Sequence, residues 1–181
     1  MGKSYVIAKY LTGEDIKRVR ELLGMTQKEF AAFVGCAVRT VENWETKTGK
    51  IKGPIVTLTE ILLRKPELAR KLELPVNDLK TRLWYMHKNT VCTVIDVDEM
   101  SREVRIHNYI SNPLYRAFGI NIEPDFEEYE EFLESRCFPK ERDKVKLELK
   151  KLDIPFYDPI MIIEKTQGRM AEDDFWIRIE R

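Results

Sequence analysis

The chain has 181 residues, 43% of them hydrophobic and 34% charged, with 31 basic and 31 acidic side chains. That composition suits a globular protein with room for two small domains, and the zero net charge argues against a general nucleic-acid binder. The longest apolar runs, such as PIMII at 159–163, are too short to cross a bilayer and no apolar run preceded by basic residues stands at the N-terminus, so a cytoplasmic protein without a membrane partner is expected.

The charge is unevenly spread. Lys and Arg outnumber Asp and Glu by 14 to 9 over residues 1–75 and are outnumbered by 22 to 17 over residues 76–181. A basic head and an acidic body point to two partners of different kinds. Cys36, Cys92 and Cys137 lie far apart with no CxxC pair, which favours buried or half-buried thiols over a zinc site or a disulfide framework.

In chain order, Thr12 offers a hydroxyl cap with Asp15 three residues on, and Ile16, Val19, Leu22 and Leu23 recur at helical spacing until Gly24. Thr26 caps a second helix with Glu29 at the capping-box position, carrying Phe30, Ala31, Phe33 and Val34 inward before Gly35 ends it. A third helix starts near Ala37. It turns Val41 and Trp44 inward and leaves Val38, Arg39, Glu42 and Asn43 facing out. Gly53-Pro54 opens a fourth, with Ile55, Leu58, Ile61 and Leu62 inward, and Pro66 opens a brief fifth through Leu72. Two short helices joined by a Gly-containing turn, the second with an exposed polar face, make the arrangement that fits a major groove.

The stretch LTGEDIKRVRELLGMTQKEFAAFVGCAVRTVENWE resembles the Cro and lambda-repressor, or XRE, class of helix-turn-helix domains, which includes HipB- and MqsA-type antitoxins. The matching pieces are T-Q-x-E-x-A at 26–31, Gly35 and T-V-x-x-W-E at 40–45, and GPIVTLTEIL is closest to the ending of MqsA-like domains. Ala37 departs from the Ser or Thr usual at its position, so the third helix lacks a hydroxyl cap. The resemblance implies a phosphate contact for Gln27. It implies base-edge contacts for Val38, Arg39 and Asn43, with Thr40 beside them, and phosphate anchors at Lys47, Lys50 and Lys52. It also implies a homodimer on double-stranded operator DNA, since such domains read paired half-sites.

Leu74-Pro75 changes the texture, and residues 74–82 are expected to link the domain at 1–73 to a second at 83–181. From Leu83 the run LWYMHKNTVCTVIDVDEM is rich in aromatic and β-branched residues. Asp98 to Ser101 turn it into EVRIHNY as a hairpin. NPLYRAFG is a short helix or irregular piece, and DFEEYEEFLESRCF is an acidic amphipathic helix with Phe126, Tyr129, Phe132 and Leu133 on one side. Pro139 is expected to open a basic helix carrying Val145, Leu147, Leu149 and Leu152. IMIIEKT and DFWIRI then read as two strands around QGRMAED. The expected fold is an all-α helix-turn-helix domain followed by a small α+β domain with an antiparallel sheet and two helices.

Chemistry is sparse in the second half. His87 and His107 are single histidines, Gly168-Arg169 is no phosphate-cradling loop, and Asp96, Asp98 and Glu99 are more simply turn formers and solubilising charges than a cation site. No enzyme activity, cofactor or metal is expected.

The succession YMHKNTVCTVIDVDE, EFLESRCFPKERDKVKLELKKL and IIEKTQGRMAEDDFWI resembles the N-terminal subdomain of HipA-type kinases over most of residues 83–179. In those kinases the subdomain precedes the catalytic part, and in three-component systems it is a separate small antitoxin subunit. The resemblance therefore implies a regulator and antitoxin whose partner is a HipA-like kinase toxin, with Trp176, Arg169 and Arg136 as candidate partner-binding residues. The alternative is a phage or mobile-element repressor with a C-terminal dimerisation or ligand-sensing module. A third reading, an enzyme or nuclease fused to a DNA-targeting head, has no clustered His, Asp and Glu to support it.

Overall fold

The computed structural model describes residues 2–141 and 143–181. The chain divides into two compact units, Met1–Glu73 and Leu74–Arg181.

The first unit contains helices α1 (Gly13–Leu22), α2 (Gln27–Val34), α3 (Val38–Thr46), α4 (Pro54–Arg64) and α5 (Glu67–Arg70). Both expected capping boxes form. The Thr12 and Thr26 backbone N–H groups donate to Asp15 (2.8 Å) and Glu29 (2.7 Å), and each threonine hydroxyl accepts from the N–H of its acidic partner. Gly35 closes α2 in the left-handed region at φ 73°. Ile16, Val19, Phe30 and Val41 are fully buried, and a single antiparallel bridge, Leu11 to Ile51, ties the segment before α1 to the loop before α4. One inward expectation needs correction: Ile61 is 44% exposed because Thr59 and Leu62 take the buried side of α4, while the half-buried Trp44 packs against the core as expected.

The second unit has one four-stranded antiparallel sheet in the order β3-β2-β1-β4, built from β1 (Thr81–His87), β2 (Thr90–Asp98), β3 (Glu103–Asn108) and β4 (Phe175–Glu180). One face carries Leu83, Tyr85, Ile95, Val97 and Ile177 into a core shared with Tyr129, Phe132 and Leu133 of α6 (Phe126–Ser135) and Ile162 and Ile163 of α8 (Pro159–Thr166). α7 (Val145–Leu152) adds Leu149. A bulge between Tyr85 and Met86 shifts the β1–β2 register, and Cys92 and Cys137 are buried free thiols.

Three sequence expectations differ here. IMIIEKT is not a strand but helix α8: Asp158 caps it by accepting from the Met161 N–H at 3.0 Å, and Pro159 sits at the first helical position. Its burial is helical too, with adjacent Ile162 and Ile163 inside and Met161 and Glu164 outside. The basic helix begins at Val145, not Pro139, because Lys144 stands at φ 71°, which a helix interior does not allow. Of its apolar positions Leu149 is buried while Leu147 is 48% exposed. Finally, the linker expected over 74–82 overlaps the sheet. Thr81 and Arg82 belong to β1, and Arg82 is buried against Asp96 (2.6 Å) while also donating to the Pro75 carbonyl.

Candidate nucleic-acid interface

The helix-turn-helix is held by a charged latch. Arg20 on α1 donates from Nε to Glu45 at the end of α3 (2.6 Å) and from Nη1 to the Met25 carbonyl (2.9 Å), while Gln27 on α2 donates to the other Glu45 oxygen (2.9 Å). Burial pushes the Glu45 carboxyl up, but the hydrogen bonds from Arg20 and Gln27 outweigh it and hold the group below the usual carboxylate range. Gly13 completes the joint. A Cβ there would meet the Trp44 and Glu45 carbonyl oxygens at 2.5 and 2.6 Å, so the start of α1 can lie against the end of α3 only without a side chain.

With Val41 fully buried and Glu45 turned into the latch, the opposite side of α3 faces outward. Val38, Arg39, Glu42, Asn43 and Thr46 are all exposed there, at positions one, four and five residues apart that share a helical face. Thr40 is half-buried at its side. Lys47, Lys50 and Lys52 are exposed on the segment after α3, and the Lys50 ammonium stands 4.3 Å from the centre of the Tyr10 ring. α3 starts without a side-chain cap at Ala37.

The structure thus brings Val38, Arg39 and Asn43 onto one outward face with three lysines following in the chain. Gln27 is placed differently from the expectation: one amide N–H is committed to Glu45, so its first role is to position α3. Glu42 was assigned no function from sequence, yet it shares the face, and a carboxylate there can accept from cytosine N4. Helical spacing was the signal that pointed to it. Nothing local in the sequence pointed to Gly13 or to the Arg20–Glu45 pair, whose members are 25 residues apart.

In the second unit the candidate partner-binding residues separate. Arg136 is 7% exposed and donates to the Gly168 carbonyl (3.0 Å), both Asp173 oxygens (2.6 and 3.1 Å) and the Phe175 carbonyl (3.0 Å). That corrects its assignment: Arg136 braces the core from α6 to the turn before β4 and presents nothing to a partner. Arg169 is exposed, with its guanidinium 5.0 Å from the centre of the half-buried Trp176 ring, whose Nε1 donates to the Lys88 carbonyl (2.7 Å). In the strand register Trp176 stands opposite Met86, and Arg178 opposite Trp84, whose ring lies 4.4 Å from the Arg178 guanidinium. Trp84 and Trp176 therefore share the sheet face opposite the α6 and α8 core, a face on which Arg82, Val94 and Asp96 are buried. Asp96 and Asp98 are paired with Arg82 and Lys80. No grouping of His, Cys, Asp or Glu among the described residues could hold a metal ion, and among them no helix is long and apolar enough to cross a membrane.

Residues 16–58 match a family model described as helix-turn-helix, of the Cro/XRE type. No curated protein matches the chain. The matched span begins within α1 and runs through α2, the Gly35 turn and α3 into α4, so it contains the latch and the whole outward face. The N-terminal unit is a helix-turn-helix DNA-binding domain, and the chain that carries it is a DNA-binding regulator of transcription.

Proposed function

We propose that the chain represses its own operator and serves as antitoxin to a HipA-like kinase. The observation that carries the DNA half is the outward face of α3, where the Arg39 and Asn43 side chains have no hydrogen-bond or ion-pair partner among the described residues, held in place by the latch beneath it. Arg39 suits bidentate donation to guanine O6 and N7, Asn43 suits adenine N6 and N7, and Val38 can meet a thymine methyl, with Thr40 beside them. Lys47, Lys50 and Lys52 supply sequence-independent phosphate contacts, to which Gln27 can add its remaining amide N–H. Two copies reading half-sites about one helical turn apart make the working form a homodimer.

The second unit supplies binding without chemistry. Its resemblance to the N-terminal subdomain of HipA-type kinases supports a kinase that lacks that subdomain as the partner. The half-buried Trp84 and Trp176 with the exposed Arg169 and Arg178 have the aromatic and arginine content that concentrates at the centres of protein interfaces. The test is phosphotransfer by a HipA-like kinase lacking its N-terminal subdomain, with and without the purified full chain. Inhibition that weakens in Trp176→Ala is expected. Kinase activity unaffected by saturating protein would remove the antitoxin role while leaving the DNA-binding role standing.

A further inference from the structure

The sheet of the second unit ends on one side at β4, and the outer backbone of that strand is only partly used. The Lys88 N–H donates towards β4, to the Asp174 carbonyl (3.1 Å), while the Ile177 N–H points the other way, to the Gln167 carbonyl (2.7 Å). Inward and outward residues alternate in an antiparallel ladder. Trp176, Arg178 and Glu180 therefore bond to Met86, Trp84 and Arg82 of β1, and Phe175, Ile177 and Ile179 turn their N–H and C=O groups away from the sheet. At the start of β4 this outer edge is closed. Asp173 accepts the Phe175 N–H, Arg136 donates to the Phe175 carbonyl, and Gln167 takes the Ile177 N–H. Further along it is open: the Ile177 carbonyl and both backbone groups of Ile179 have no partner among the described residues, and a groove of about 400 Å³ between β4 and α8 leaves room beside them.

An unpaired edge is a template for another strand, and this one is matched to itself. Set antiparallel about Ile179, two copies of β4 exchange both Ile179 N–H to C=O bonds, and the Arg181 N–H of each meets the Ile177 carbonyl of the other. The same register stands Arg178 of each copy directly opposite Glu180 of the other, on the face away from the core. Within one chain both side chains are exposed and neither has an ion pair among the described residues. The Arg178 guanidinium lies 4.4 Å from the centre of the Trp84 ring, and Glu180 accepts from Trp84 Nε1 at 2.9 Å. The other edge of the sheet lacks this match. The outward residues of β3 are Val104, Ile106 and Asn108, so pairing about Ile106 sets Arg105 opposite His107, and Arg105 is already held by Asp78 and Glu103.

We infer that two copies of this chain join edge to edge through β4, making one continuous antiparallel sheet across a two-fold axis at Ile179. The inference names the surface of the homodimer proposed above and rests on that reading for its two-copy form, but neither operator nor kinase takes part in it. The paired segment is short, so the dimer is weak, dissociating at about 10–100 μM as small transient contacts do.

The test is sedimentation equilibrium of the full chain without DNA, from about 1 μM to about 1 mM, a span that brackets that affinity. Arg178→Glu and Glu180→Arg each set like charges opposite one another twice across the axis, and each is expected to weaken the dimer about 10-fold or more. Mixing the two variants in equal amounts places opposite charges at both positions again, and a heterodimer as tight as the wild-type dimer is expected. In the wild type, the Ile179 amide should gain protection from hydrogen exchange as concentration rises, while the Arg178 amide, bonded to β1, is protected throughout. A chain that stays monomeric at the highest concentration, a dimer that both single variants leave unchanged, or a mixture no tighter than the variants alone overturns the inference. An unchanged dimer would lie on another surface and leave the homodimer reading standing, whereas lost operator binding with β4 pairing intact would remove the operator reading alone.

Discussion

Replacing Arg136 by Met tests whether the second unit is held together by an internal charge network or by apolar packing alone. The guanidinium is 7% exposed and makes four hydrogen bonds that join α6 to the Gly168 turn and to the start of β4. Breaking a buried ion pair from one side typically costs about 3–5 kcal/mol, because the remaining charge is stranded. Asp173 is 31% exposed at its side chain, so water can reach it once Arg136 is gone, and methionine keeps much of the stem packing near Tyr85. The lower end, about 3 kcal/mol, is therefore expected. Hydrogen exchange of the full chain should show the loss in peptides covering β1 and β4 while peptides of α1 to α3 keep wild-type protection. A pH arm sharpens it. The Arg136 hydrogen bonds hold the Asp173 carboxyl below its usual range against the opposing effect of burial. A depressed carboxylate contributes stability that is present above the unfolded pKa near 4 and is lost as pH falls through the folded value. The wild type should lose that contribution in acid below about pH 4, and Arg136→Met should show a flatter profile there. A loss under about 1 kcal/mol, the size of an exposed pair, or an unchanged acid profile would refute the network.

Gly13→Ala should destabilise the first unit by about 1–3 kcal/mol, as overpacking does, despite the better helix propensity of alanine, because the new methyl meets two backbone carbonyls. Thermal unfolding checks this, and a stabilised variant would contradict the joint. Ala37→Ser should raise stability by about 1 kcal/mol by capping α3, since position 37 already has the extended backbone of a cap and no side-chain bond. The same unfolding measurement would show no gain if the cap position were wrong. Lys50→Ala should weaken binding to all duplexes alike and reduce the slope of log affinity against log salt by about 1, read from fluorescence anisotropy across a salt series. An unchanged slope would remove Lys50 from the phosphate contacts.

The N-terminal unit was legible because its signals are local: hydroxyl caps with an acid three residues on, glycine stops and a 3.6-residue apolar period. What joins those helices was not, since Arg20, Gln27 and Glu45 meet across 18 to 25 residues. In the second unit, β2 and β3 announced themselves by alternation and α6 by its apolar stripe. The run after Asp158 misled, because several isoleucines in so few residues carry no period, and only the Asp-Pro start distinguishes a buried helix from a strand. Arg136 misled in the opposite way. An arginine beside a helix end reads as surface, and its burial is decided by carbonyls and a carboxylate more than thirty residues away. The face shared by Trp84 and Trp176 becomes visible only when strand register sets them on one side, although the sequence already points to Trp176 itself.

The central claim is that α3 reads bases through Arg39. The most direct measurement compares the affinity of the full chain and of Arg39→Ala for a duplex selected from a random pool and for a scrambled duplex of equal length and salt. The account predicts a loss of about 1–3 kcal/mol on the selected duplex, little change on the scrambled one, and relaxed preference at a single base pair. Equal losses on both duplexes would reduce Arg39 to a phosphate contact and contradict the reading face.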